Sequence, residues 1–394
     1  MNLYLHIPFC ASRCSYCDFY TQTGSRLRRD FLDALIRELH LRRVELPDGA
    51  LIDHIYFGGG TPSLLTPEEL TRIFDTITEL YPLTGTGEVT IECNPDDVTE
   101  EYAQALGTLP INRVSMGVQS FHADDLTFLN RRHSAEQVFA AVEALRRHGI
   151  DNLSLDLIYG LPGQTEERWL TNILSLGVPH LSAYHLIYEE GTALTRLVER
   201  GKVQPVSEEA SLRFFELLIS ELKAAGYEHY EISNFALPDR YARHNTGYWQ
   251  GVPYLGLGPS AHSFDGLRTR SHNVAVHSSR EGATTRPSTS ATKSSSTSTS
   301  SRAFARSGAS RSETMRHASV SVPSGNFYKP QANTSTEVNS PTAMIPFASL
   351  PKVSSSPTAS SPTFSSKEAP APQVLQRANE RTYSSFHSPF GIYS

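Results

Sequence analysis

The sequence predicts an α/β chain built as an incomplete (β/α)6 barrel, and three observations carry that expectation. Apolar, strand-like runs alternate six times with amphipathic helical stretches over the first 235 or so residues. The helical stretches open and close on recognisable caps. Each strand also ends, on its C-terminal side, in residues of unusual chemistry, the pattern expected when βα loops assemble a site at one face of a barrel. An open doubly wound sheet is the competing architecture.

The elements follow in order. A strand over residues 3–7 leads into a cysteine-bearing loop and a helix over about 30–43. The second strand, 51–57, runs into Gly58-Gly59-Gly60-Thr61-Pro62. Thr66 then caps a helix, with Pro67 at its first position and Glu69 completing a capping box. The third strand, 88–92, reaches Asn94-Pro95 and a helix opened by Thr99. The fourth, 113–118, precedes a helix capped by Ser134 and Gln137 and stopped at Gly149. The fifth, 153–158, ends in Tyr159-Gly160-Leu161-Pro162-Gly163. The sixth, 180–186, is followed by a long helix from Ser207 to about Ala225, ended by Gly226.

Composition narrows the class. The 394 residues are 39% hydrophobic with a net charge of −6, and no apolar run has the roughly 18 residues needed to span a bilayer. Met1 leads directly into the cysteine motif, so no signal peptide is expected. Four cysteines, three of them clustered, fit a metal site in a reducing compartment better than a disulfide framework, and the cytoplasm is the expected location.

The averages conceal a break near residue 274. From there to Ser394 the chain is rich in Ser, Thr, Pro and Arg. Twelve Lys/Arg against five Glu and no Asp give this part +7 and leave −13 for the residues before it. Such a composition cannot offset its ordering entropy by apolar burial, so the tail is expected to be disordered or degenerate. Its charges are diluted among Ser and Thr, and no nucleic-acid partner is expected.

Chemistry begins with Cys10, Cys14 and Cys17, spaced C-x3-C-x2-C behind the first strand. Three thiolates on one short loop can hold three irons of a [4Fe–4S] cluster and leave the fourth iron open. Zinc is the alternative, though it wants a fourth protein ligand nearby; His6 and Cys93 are the remaining candidates. Three consecutive glycines at 58–60 allow close backbone approach, although such runs also simply make tight turns. Glu92 ends a strand and could accept from hydroxyls or merely face solvent. Asp156 alternates with Leu155 and Leu157, so it points away from them into the barrel, where it needs a partner such as Arg131.

The opening Tyr4-Leu5-His6-Ile7-Pro8-Phe9-Cys10, running on through Cys14 and Cys17 to Phe19, resembles radical S-adenosylmethionine (radical SAM) proteins of the oxygen-independent coproporphyrinogen III oxidase family. It is most similar to the heme-chaperone branch of that family, and the resemblance covers residues 3 to about 273. It implies a [4Fe–4S] cluster on Cys10, Cys14 and Cys17, with S-adenosylmethionine on the open iron. It also implies that Tyr4, Gly58, Gly59, Gly60, Thr61, Glu92, Gln119, Arg131 and Asp156 line the S-adenosylmethionine pocket. The segment His244-Asn245-Thr246-Gly247-Tyr248-Trp249 matches an HNxxYW element associated with heme, which makes His244 a heme-ligand candidate; His262 is a weaker one, and either could be a structural histidine.

Two departures separate the chain from coproporphyrinogen-decarboxylating members. Those carry a further cysteine where Phe19 stands, and a long arm before the cluster motif. The resemblance therefore implies a chaperone that binds heme as cargo and passes it to an acceptor protein, with transient membrane contact only through that acceptor. An oxidoreductase of the coproporphyrinogen III dehydrogenase type, serving porphyrin biosynthesis, is the alternative. The expected organisation is a barrel over 1–235, an extension with HNxxYW over 236–273, and the tail over 274–394. The tail stands where the family places a small helical domain. A shifted reading frame is the favoured reading of that switch, and a natural disordered extension the other.

Overall fold

Period-two alternation decides what each strand shows to each side. In the computed structural model, which describes residues 1–273 apart from 25, 171, 268 and 269, together with the strand Pro287–Ser288, six parallel strands form the expected barrel wall. They are β1 (Asn2–Ile7), β2 (His54–Gly59), β3 (Val89–Cys93), β4 (Arg113–Gln119), β5 (Leu153–Tyr159) and β6 (His180–His185), hydrogen-bonded in that order. Leu3, Leu5, Phe57, Ile91, Val114, Leu155 and Leu181 belong to one buried apolar core. The alternate positions carry Tyr4, Tyr56, Glu92, Ser115, Asp156 and Ser182, so the other face of the wall is polar.

The caps read from sequence are present. Thr66 Oγ1 accepts from Glu69 N at 3.3 Å while Thr66 N donates to Glu69 Oε2 at 2.9 Å, opening Pro67–Leu80. Ser134 and Gln137 make the same reciprocal pair at the start of Ala135–Arg147. Gly149 and Gly226 take positive φ, 84° and 89°, just beyond the helices they end. The second strand starts later than expected, at His54; Ile52 instead bridges to Leu83.

The larger difference lies after residue 235. After β7 (Asn234–Ala236), which runs antiparallel to β6, the chain returns to the opposite edge. There β8 (Tyr254–Leu257) pairs parallel with β1, and β9 (His262–Phe264) and β10 (Arg270–Asn273) continue antiparallel. Among the described residues, with a two-residue strand at each end, the sheet has twelve strands and does not close on itself. Residues 236–273 are thus joined to the same sheet as the barrel strands.

A buried polar hub clamps this edge. Arg42, on the helix Arg28–Arg42, donates to Gly256 O at 2.5 Å, Asn273 Oδ1 at 3.2 Å and Ser263 Oγ at 3.1 Å. Asn273 in turn donates to Glu38 Oε1 at 2.9 Å and Gly258 O at 2.7 Å. The expectation of a disordered or frame-shifted tail over 274–394 falls outside the described residues, the strand Pro287–Ser288 apart. Among the described residues no helix is long and apolar enough to cross a membrane.

Candidate functional site

Strand ends and βα loops meet in one open cavity. Its wall brings together Cys10, Cys14, Cys17, Gly59, Gly60, Thr61, Glu92, Gln119, Arg131 and Asp156. Three predicted residues are not part of that lining: Tyr4, Gly58 and His244.

The cysteine loop is held by its backbone. Ser15 N donates to Leu129 O at 3.1 Å, Ser15 Oγ to Phe128 O at 3.0 Å, and Asn130 Nδ2 to Arg13 O at 2.7 Å. Leu194 N donates to Ser15 O at 2.8 Å from the other side. The three thiols are half-buried and free of disulfides. Thr61 Oγ1 donates to Cys10 Sγ at 3.4 Å, a contact that favours its thiolate, and Arg131 Nη1 donates to Cys14 Sγ at 3.4 Å. Burial works the other way, raising the Cys10 thiol and pushing Cys17 up to about 12, so loading a metal here releases protons. Among the described residues no three His, Cys, Asp or Glu side chains converge on one point as a single ion requires. A cluster takes its thiolates on separate irons, and that donor set fits this loop.

The glycine run does more than bare its backbone. A Cβ on Gly60 would stand 2.7 Å from Phe9 O, and one on Gly59, whose φ is 109°, 2.6 Å from the His6 ring. Gly60 N donates to Ile7 O at 2.8 Å. These glycines let the loop after β2 press against the stem of the cysteine loop.

Glu92 faces the cavity with both oxygens engaged from behind. Tyr56 OH donates to Oε1 at 2.8 Å and Gly59 N to Oε2 at 3.1 Å. Burial pushes this carboxyl up to about 8; the Tyr56 and Gly59 donors oppose the rise and the Asp156 charge adds to it. Asp156, 1% exposed, accepts from Ser115 Oγ at 3.0 and 3.2 Å. The expected pairing with Arg131 is corrected here. Arg131 donates to Asn94 Oδ1 at 2.6 Å, to Gly117 O and to Cys14, leaving its buried Nε with no acceptor among the described residues. Gln119 is 3% exposed and holds φ 65° at a register shift between β4 and β5, a left-handed conformation that a non-glycine residue adopts at some cost.

His244 lies apart from this cavity. It is the second residue of the helix Arg243–Trp249, whose first N–H groups, of Arg243 and His244, donate to Glu88 at 3.2 Å each. The imidazole is 1% exposed, packs 5.0 Å from the Tyr56 ring and shares its Nε2 with Tyr248 OH at 2.8 Å. Its Nδ1 is buried with no partner among the described residues, and burial lowers its pKa to about 3. In this arrangement it is a core histidine and presents no nitrogen to a porphyrin. Trp249, 66% exposed, is the side chain of the motif that faces outward. His262 sits on β9, paired across to β10.

Sequence reading missed Tyr56, Asn94 and Glu88. Only Tyr56 left a signal: it lies two residues before Gly58, on the same face of its strand.

Comparison with known proteins agrees with this geometry. Residues 4–176 match the radical SAM superfamily. The chain is 39% identical over 280 residues to the heme chaperone HemW of Mycobacterium tuberculosis, covering 69% of this chain and 71% of that one. It is 38% identical over 280 residues to HemW of Bacillus subtilis, covering 69% and 73%. The chain belongs to the HemW branch of the radical SAM superfamily. Among solved structures, coproporphyrinogen III oxidase (HemN) of Escherichia coli superposes with a TM-score of 0.61 at 27% identity, over 70% of this chain and 67% of that one. HemW-family membership and the HemN-like fold agree with the parallel wall of β1–β6, and radical SAM membership implies a [4Fe–4S] cluster and S-adenosylmethionine.

Proposed function

We propose that this chain is a heme-chaperone-like radical SAM protein that binds a [4Fe–4S] cluster, S-adenosylmethionine and heme, and transfers heme to an acceptor protein in the cytoplasm. The observation that carries this reading is the single cavity that puts three free cysteines opposite Glu92, Gln119, Arg131 and Asp156. Cys10, Cys14 and Cys17 would hold the cluster. Gly59, Gly60, Thr61, Glu92, Gln119, Arg131 and Asp156 would line the S-adenosylmethionine site, with Tyr4 and Gly58, outside that lining, supporting it. When bound, the cluster supplies an open iron for an amino and a carboxylate group. The protein's own groups then bind and orient: Glu92 accepts from sugar hydroxyls, and the unpartnered Arg131 Nε offers a charge-assisted donor.

Phe19 lines the same cavity, where the resemblance gives decarboxylating relatives a cysteine. That position supports the chaperone over the alternative, coproporphyrinogen III dehydrogenase, which the HemN-like fold keeps in view. Anaerobic reconstitution tests both. Wild-type protein is expected to gain broad absorbance near 400 nm and bound S-adenosylmethionine, both lost in Cys14→Ala, to bind heme, and to leave coproporphyrinogen III unchanged. Turnover of coproporphyrinogen III by the loaded protein would replace the chaperone reading with the enzyme. Heme absorbance lost in His244→Ala at an unchanged melting temperature would show that the 243–249 helix opens to expose the imidazole.

A further inference from the structure

We propose that Tyr56 is the positioning residue for Glu92, setting the carboxylate that grips the ligand's sugar hydroxyls; this rests on reading the cavity as the S-adenosylmethionine site. A carboxylate side chain on a strand end has rotatable bonds, and recognition of a vicinal diol needs it fixed. Here the carboxyl is fixed at both oxygens. Gly59 N takes Oε2, and the Tyr56 hydroxyl takes Oε1 at 2.8 Å. In its ionised form, which prevails above about pH 8, the carboxyl offers about four lone-pair sites, so each oxygen keeps an acceptor position beyond these two bonds.

The phenol is itself locked. Tyr56 is 3% exposed, and its ring packs against both Tyr4, 6.1 Å away, and His244, 5.0 Å away, the three rings forming one cluster. The parallel register of β1 and β2 sets Tyr4 beside Tyr56, and that of β2 and β3 sets Thr90 beside it, which leaves Glu92 the next inward residue along β3. Gly58 makes the contact possible: a Cβ there would lie 2.8 Å from both Glu92 Oε1 and the Tyr56 ring. One column of side chains therefore runs from His244 through Tyr56 to Glu92, joining the HNxxYW segment to the cavity.

The test compares two ligands on anaerobically reconstituted full-length chain by equilibrium dialysis at pH 8.5, where Glu92 is mostly ionised: S-adenosylmethionine and its 2′,3′-dideoxyribose analogue. Tyr56→Phe keeps the ring and removes the hydroxyl. It should weaken S-adenosylmethionine binding roughly tenfold and leave affinity for the analogue unchanged. Gly58→Ala should reproduce that selective loss by wedging the pair apart. Equal loss for both ligands in Tyr56→Phe, or loss for neither, overturns the inference and leaves the reading of the cavity intact. Wild-type protein that fails to bind S-adenosylmethionine, or binds both ligands equally well, overturns the ribose role of Glu92 and this inference with it.

Discussion

Burial holds the Glu92 carboxyl near 8, against about 4.3 in an unfolded chain. Between those values the folded chain keeps a proton that the unfolded chain has released, so this residue makes stability fall as pH rises from about 4.5 to 8. Glu92→Gln removes that dependence. The variant should melt higher than wild type at pH 8.5 and match it near pH 5, while losing affinity for S-adenosylmethionine; melting curves at the two pH values decide it. His6 and His133 act in the opposite direction. Burial lowers them to about 4 and about 3, so they stay neutral in the fold while the unfolded chain protonates them below about 6.5. Stability is then lost as pH drops from about 6.5 toward 4. A glycine gives the sharpest steric prediction. In Gly60→Ala the new methyl meets backbone oxygens, Phe9 O at 2.7 Å and Ile7 O at 2.8 Å, and neither is a flexible side chain. Iron content after reconstitution should fall severalfold, with a stability cost of about 1–3 kcal/mol.

At the scale of elements, local chemistry was the most legible. Thr66 with Glu69, Ser134 with Gln137, and Gly149 each announce a helix end through residues three or four positions apart, and the caps are where those residues are. The inward turn of Asp156 follows from alternation within one strand. What could not be read was long-range. Tyr254–Leu257 is four residues long and follows a helix of seven, too short for any periodicity to declare it a parallel partner of β1. The partner of Asp156 was hidden for the same reason: Ser115 is 41 residues away and was one of many serines. Thr66→Ala offers a control for the readable part. It should lower stability by about 1 kcal/mol and leave ligand binding untouched, since its contacts stay within its own helix start.

For the molecule as a whole, the clamp of Arg42, Glu38 and Asn273 ties the Arg28–Arg42 helix to the strands added at the β1 edge. Asn273→Ala removes one buried hydrogen-bond partner each from Glu38 and Arg42 and should cost about 2 kcal/mol, seen as a lowered denaturation midpoint. The polar-rich composition begins directly after this asparagine, and the match to the Mycobacterium tuberculosis protein covers 71% of that protein's length. Re-sequencing the coding DNA across codons 270–285 decides between a shifted frame and a natural tail; a helical domain encoded in another frame is the expected result.

The backbone stitching of the cysteine loop has a consequence for the order of assembly. Small metal-dependent domains fold around their ion and collapse without it. Here Ser15 and Asn130 fasten the loop to its surroundings through bonds that involve no thiol. Bonds of this kind do not depend on iron, so the loop is expected to keep its place when iron and sulfide are removed and returned. Far-ultraviolet dichroism should therefore stay the same after chelation of the iron, and colour should return on reconstitution without a refolding step.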